Sequence, residues 1–223
     1  VDDGDILYSI SNAPATSADA SYNGLDPLDA AVTNADGDTA GIIVTPITGG
    51  ITTEGTGTTT FAIVLRSQPT ADVTIGLSSN DVTEGTVGPS TLTFTTVNWN
   101  VAQTVTVTGV NDDLDDGDKV YRIVTAAAVS ADLNYGGFDP IDVFVTNTDD
   151  DTAGITVTPT SGLTTTEAGG AATFTVVLNT QPTADVAIGL TSSNTAEGTV
   201  GPSLTFTSAN WNTPQTVTVT GMN

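Results

Sequence analysis

The chain repeats itself at a fixed interval, and that interval limits what it can fold into. Asp38-Thr39-Ala40-Gly41-Ile42 returns as Asp151-Thr152-Ala153-Gly154-Ile155, 113 residues on. Gln68-Pro69-Thr70-Ala71-Asp72-Val73 returns as Gln181-Pro182-Thr183-Ala184-Asp185-Val186 at the same interval. Asp2-Asp3-Gly4-Asp5 returns as Asp115-Asp116-Gly117-Asp118. One residue drops out after Ser203, so Trp99 corresponds to Trp211, 112 residues on. The copies are similar along nearly the whole of their aligned length. The sequence predicts a tandem array of one unit.

One complete unit spans residues 39–150. Within it, short runs alternate apolar and polar residues with a period of two. Examples are Thr59–Arg66 around Phe61, Ile63 and Leu65, and Thr104–Thr108 around Val105 and Val107. Other runs are Ile42–Thr45, Asp72–Ser78, Thr91–Thr95, Lys119–Thr125 and Asp142–Thr146. Seven such runs, with Thr-rich outer faces and Gly, Pro and Asn between them, predict a seven-stranded antiparallel β-sandwich of all-β class. Residues 1–38 match only the last two strands of the unit, and residues 151–223 match only the first five. The two pieces are complementary. The chain is expected to be a window on a longer array, or one whose neighbouring copies complete each other's sandwich by strand addition. Val1-Asp2-Asp3 resembles neither an initiator nor a leader, as expected of a processed chain or a segment of a longer one.

Charge adds the chemistry. Lys+Arg number 3 against 26 Asp+Glu, for a net charge of −23. Nucleic acid and anionic membranes both require basic residues, so neither is an expected partner. No apolar run reaches the roughly 18 residues of a spanning helix, and no membrane insertion is expected. Disorder, the plain reading of an acidic Thr/Gly/Ser-rich chain, conflicts with 38% apolar residues set in alternation. Cys is absent, so stability has to come from packing or a metal. Neither His nor Cys is present for a triad or a thiol nucleophile. Paired carboxylates of glycosidase type are set aside because the acids recur at every repeat joint with turn spacing. No enzymatic activity is expected.

The acids concentrate at those joints. Asn111-Asp112-Asp113-Leu114-Asp115-Asp116-Gly117-Asp118 places five carboxylates in eight residues, and Asp149-Asp150-Asp151 follows before the next unit. Each close pair of like charges costs about 1 kcal/mol in water and roughly 4 kcal/mol at a protein surface. A counter-charge is needed. Oxygen donors without His or Cys suit a hard cation, and Ca²⁺ is the expected one. Solvated acidic turns are the competing reading. Glu84 and Glu197, in (Thr/Ala)-Glu-Gly-Thr-Val-Gly-Pro, read first as turn residues. Trp99 and Trp211, each in Asn-Trp-Asn, read as caps on the core rather than sugar-stacking platforms.

An Asp-rich loop followed by Gly117-Asp118-Lys119-Val120-Tyr121 and closed by Asp149-Asp150-Asp151-Thr152-Ala153-Gly154-Ile155 resembles Calx-β domains. Thr53-Glu54-Gly55 and Thr166-Glu167-Ala168 resemble that family's early Ser/Thr-Glu-Gly element. The resemblance covers the whole chain as repeated units. It implies a sandwich holding Ca²⁺ at one end through the loop between its fifth and sixth strands, the terminal Asp triplet and the early Glu. Carried over, the ligands at the second joint are Glu54, Asn111, Asp112, Asp113, Asp116, Asp149, Asp150 and Asp151. Asp3, Asp36 and Asp38 correspond at the first joint, and Glu167 in the third unit. Gly37 stands where the second joint has Asp150, so the first joint has fewer ligands. Lys119 stands where the family often has Glu, which implies a weaker, structural site.

Together these readings predict a calcium-rigidified structural repeat of a secreted bacterial surface protein or fibre, an extender in adhesion or matrix formation. Its expected partners are adjacent repeats or neighbouring chains, together with cell-surface or matrix components. The alternatives are a self-assembling filament subunit joined by strand complementation, and a glycan- or protein-binding adhesin module.

Overall fold

A computed structural model describes residues 1–223. The chain is all-β, with eighteen strands and no helix. Since there is no helix, none is long and apolar enough to cross a membrane.

The first strands, β1 (Ile6–Ile10) and β2 (Ala30–Asn34), form an isolated antiparallel ribbon. The complete unit follows with β3 (Ile42–Thr45), β4 (Gly50–Thr53), β5 (Thr58–Leu65), β6 (Val73–Ser79), β7 (Gly85–Gly88) and β8 (Thr91–Phe94). It continues through β9 (Gln103–Gly109), β10 (Lys119–Thr125), β11 (Val129–Ser130) and β12 (Val143–Thr148). The third segment holds β13 (Ile155–Thr158), β14 (Ala171–Leu178), β15 (Val186–Ile188), β16 (Gly198–Val200), β17 (Leu204–Phe206) and β18 (Gln215–Gly221).

In the complete unit one sheet runs β3-β5-β9-β7, and the other runs β11-β6-β10-β12-β4 with β8 also on β6. The alternation read in the sequence becomes burial. Phe61, Ile63 and Leu65 of β5, Val105 and Val107 of β9, and Val73, Ile75 and Leu77 of β6 all face the shared core. Tyr121 and Ile123 of β10 and Val143 and Val145 of β12 join them from the same sheet as β6, opposite β5 and β9. Each such aliphatic side chain contributes about 1.5–3 kcal/mol on burial. Trp99 packs against this cluster from the edge.

The structure departs from the seven-strand expectation. Short strands β4, β7 and β11 are added, and β4 pairs parallel to β12 rather than antiparallel. These strands have two to four residues each, too few for sequence alternation to register.

Seventeen buried residues make the core of the complete unit, and only four, Val176, Leu178, Phe206 and Val217, make that of the third segment. The third segment lacks counterparts of β10 and β12, the strands that lid the core.

Candidate functional site

The acidic end of the complete unit is shaped by backbone demand. Asp149 leaves β12 and turns its carboxylate back across the acidic loop. Its Oδ2 accepts the N–H of Asp116 at 3.0 Å and of Gly117 at 2.6 Å, and its Oδ1 accepts the N–H of Asp151 at 2.8 Å. Gly117 has φ of 74°, a left-handed conformation that glycine adopts without strain, and this turns both N–H groups toward Asp149. These donors hold the Asp149 carboxyl below its ordinary pKa. Asp118 accepts the N–H of Asp149 at 3.1 Å, and Asp115 accepts the N–H of Ala153 at 2.7 Å.

The first joint repeats the device. Asp36 accepts from Asp3, Gly4 and Asp38, Asp5 accepts from Asp36, and Asp2 accepts from Ala40. Asp38 there pairs with the amino group of Val1 at 2.7 Å.

This scaffold presents a second set of carboxylates. Glu54, at the end of β4, is 2% exposed, and ligand oxygens of Glu54, Asp112 and Asp151 lie within 4.8 Å of one another. Glu54 Oε2 and Asp151 Oδ2 are buried and have no hydrogen-bond partner. A buried, unpaired carboxylate oxygen is costly unless a cation or proton satisfies it. Burial, reinforced by Asp112 and Asp149, pushes the Glu54 carboxyl up to about 7. Burial and the charges of Asp149 and Asp113 raise Asp151 as well. The three carboxylates, Glu54 buried and Asp112 and Asp151 half-buried, therefore form a mutually repelling cluster of hard oxygen donors, whose chemistry fits a divalent cation such as Ca²⁺.

The remaining sequence-derived ligands take distinct places. Asp150 is exposed, its carboxylate 3.4 Å from where a Cβ on Gly55 would stand, so it borders the same pocket. One oxygen of Asp112 also accepts the N–H of Leu114 at 2.8 Å. Asn111 turns its amide onto the carbonyl of Asp112. Asp113 is exposed, and its carbonyl accepts the N–H of Gln181. Asp116 pairs with Lys119 at 3.3 Å. Glu167, the counterpart of Glu54, is exposed in the third segment. Asp3 contributes its backbone N–H to Asp36.

Glu84 is a buried acid beside this end that its turn-like motif concealed. It is 7% exposed and accepts from Asn147 at 3.3 Å. Burial raises its carboxyl, with Asp116, Asp81 and Asp112 adding to the effect. Asn147 in turn accepts from Thr52 at 2.9 Å, and Thr52 meets the Tyr121 hydroxyl at 3.2 Å. The signal that could have found Glu84 is Asn147, placed by the period of β12 on the inward face, where a buried amide needs polar partners.

The joint to the third segment is built from the same loop. Gln181 N–H donates to the Asp113 carbonyl at 2.7 Å, and Ala153 N–H to Asp115. Leu114 lines a groove of about 560 Å³ with Ile155, Leu178, Pro182 and Val186.

The arrangement defines a class: an all-β protein of packed, mainly antiparallel sheets with an acidic end. No known family model matches the chain, and no curated protein matches it in sequence. Among solved structures the chain is similar to CBD12 from CALX1.2, at 15% identity and a TM-score of 0.39, covering 82% of this chain and 75% of that one. It is similar to the apo-form Calx CBD1 domain at 17% identity and a TM-score of 0.39, over 49% of this chain and 96% of that one. It is also similar to the periplasmic chaperone SfaE, at 10% identity and a TM-score of 0.39, over 75% and 83% of the two chains. Likenesses this distant carry no argument about function.

Proposed function

We propose that this chain is a calcium-binding structural repeat, in which Ca²⁺ at the acidic end of each sandwich stiffens the joint to the next. The observation that carries this reading is the pair of buried, partnerless oxygens on Glu54 and Asp151, with Asp112 beside them. Bound by Glu54, Asp112 and Asp151, with Asp150 at the rim, the ion would order the loop that also reaches Gln181 and Ala153. Stiffness then follows from one loop serving both units. The setting we propose is an extracellular bacterial surface protein or fibre, where dissociation constants of about 10⁻⁴–10⁻³ M match ambient calcium. The scarcity of basic residues and the abundance of Thr support that setting. Catalysis is not part of the proposal.

Calorimetric titration of the 223-residue chain with CaCl₂, beside small-angle scattering with and without chelator, tests it. Millimolar binding that is lost in Glu54→Gln, with a longer and stiffer particle in calcium, is the expected result. No heat of binding and superimposable scattering profiles would overturn it.

A further inference from the structure

Asn147 is buried near the end of β12 and uses every polar atom of its side chain. We propose that this amide is the positioning residue of the acidic end, setting the spacing between the carboxylates of Glu54, Asp112 and Asp151. The proposal rests on the calcium reading for its consequence, while its geometric part stands apart from the ion.

The three acids arrive on three separate stretches of chain: Glu54 after β4, Asp112 after β9 and Asp151 after β12. Asn147 reaches the root of each. Its Oδ1 accepts the hydroxyl of Thr52 at 2.9 Å, two residues before Glu54. Its Nδ2 donates to the carbonyl of Val110 at 3.1 Å, two residues before Asp112. Its own strand leads to Asp149, whose Oδ1 accepts the N–H of Asp151 at 2.8 Å. The amide also donates to Glu84 Oε2 at 3.3 Å, and the Glu84 carbonyl accepts the N–H of Val110 at 3.0 Å. Val110 is thereby held through both its N–H and its carbonyl.

Proton direction fixes the arrangement. Thr52 has one hydroxyl proton, and Asn147 Oδ1 at 2.9 Å takes it in preference to the Thr146 carbonyl at 3.5 Å. The Tyr121 hydroxyl, 3.2 Å away, then donates to Thr52. A run of donors passes from Tyr121 through Thr52 and Asn147 to Val110 and Glu84. Thr52, Asn147 and Tyr121 are 0%, 1% and 2% exposed, so water cannot replace a lost member. The bonds from Asp116 and Gly117 to Asp149 are exposed and compete with water. The buried amide therefore decides the spacing. Gly109 leaves room for it: a Cβ there would stand 2.6 Å from Asn147 Oδ1 and nearer still to the Thr53 carbonyl.

Calorimetric titration with CaCl₂ and amide hydrogen exchange in chelator, both on the 223-residue chain, test this. Asn147→Leu, close in volume but without polar side-chain atoms, is expected to weaken calcium binding about 10- to 100-fold, as loss of a group supporting metal ligands does. Thr52→Val should weaken it too, and Thr52→Ser, which keeps the hydroxyl, should retain the parent's affinity. Tyr135→Phe, a buried loss at the opposite end of the unit, should lower the melting temperature and leave the affinity unchanged. In chelator, Asn147→Leu and Thr52→Val should speed exchange at the amides of Glu54 and Val110 about tenfold relative to that of Ser67, the effect of one buried hydrogen bond. Thr52→Val, the milder change, carries both comparisons if Asn147→Leu does not fold. Unchanged affinity in the Asn147 and Thr52 variants, equal weakening by Tyr135→Phe, or exchange that rises equally at Ser67 would each overturn the proposal. A parent chain that binds no calcium would overturn the calcium reading instead, and the exchange comparison would still decide whether Asn147 sets the geometry of this end.

Discussion

Glu54 and Asp151 face the same small space at the end of the complete unit, and each turns one buried oxygen into it that no protein group bonds. Glu54 arrives on β4 and Asp151 on the segment leaving β12, about a hundred residues apart in sequence. The parallel pairing of β4 with β12, Asn147↔Thr52 and Thr148↔Thr53, brings them together.

Calcium is expected to raise the melting temperature. An ion at one hundred times its dissociation constant stabilises a single site by roughly 2.7 kcal/mol, which corresponds to a rise of about 10 °C for a domain of this size. Differential scanning calorimetry with CaCl₂ and with chelator measures it. Glu54→Gln should abolish the rise.

Without calcium, stability is expected to fall as pH rises from about 4.5 to about 7. Glu54 titrates near 4.5 when unfolded and near 7 when folded, so across this window the unfolded state releases a proton that the folded state keeps. Asp151 and Glu84, both raised, act in the same direction. Asp149, lowered, contributes stability above its unfolded value that is lost only as pH falls through its folded one. Melting in chelator from pH 4.5 to 8 should show a decline on the order of 2–3 kcal/mol. Glu54→Gln should flatten it, and saturating calcium should remove it.

Tyr135→Phe should destabilise the complete unit by about 1–3 kcal/mol. The Tyr135 hydroxyl accepts the N–H of Ser67 at 3.1 Å and donates to its carbonyl at 2.7 Å, in a buried setting that leaves both groups orphaned once it is gone. Chemical denaturation reads this directly.

Leu114→Ala is expected to loosen the joint while sparing the unit. Leu114 lines the groove shared with the third segment and lies outside the seventeen-residue core. Scattering in calcium should show a broader distribution of end-to-end lengths, with calcium affinity within about twofold of the parent because the carboxylates are untouched.

Gly85→Ala should cost about 1–3 kcal/mol by overpacking against Tyr121. The equivalent Gly198→Ala should leave the free chain's denaturation midpoint unchanged. The contrast measures how differently the two copies are packed.

Much of this was legible in the residues themselves. A period of two, carried by Phe61, Ile63, Leu65, Val105 and Val107, determines a strand with one buried face, because a one-residue slip would expose every one of them. The repeat interval shows that the same sequence pattern recurs, and the crowding of acids with few bases marks the joints as strongly acidic. Which acids meet was a tertiary matter. Asp149 and Asp151 are near neighbours of the same type in sequence, yet backbone N–H groups occupy the first while one buried oxygen of the second has no partner beside Glu54. Glu84 and Glu54 sit in similar Thr-Glu-Gly turns that look exposed, and both are buried because Asn147 and the parallel edge of β4 close over them. Sequence specifies alternation and charge locally. Whether a given carboxylate is solvated, spent on a backbone turn or left waiting for a cation depends on what the packed sheets place above it, and only the folded unit settles that.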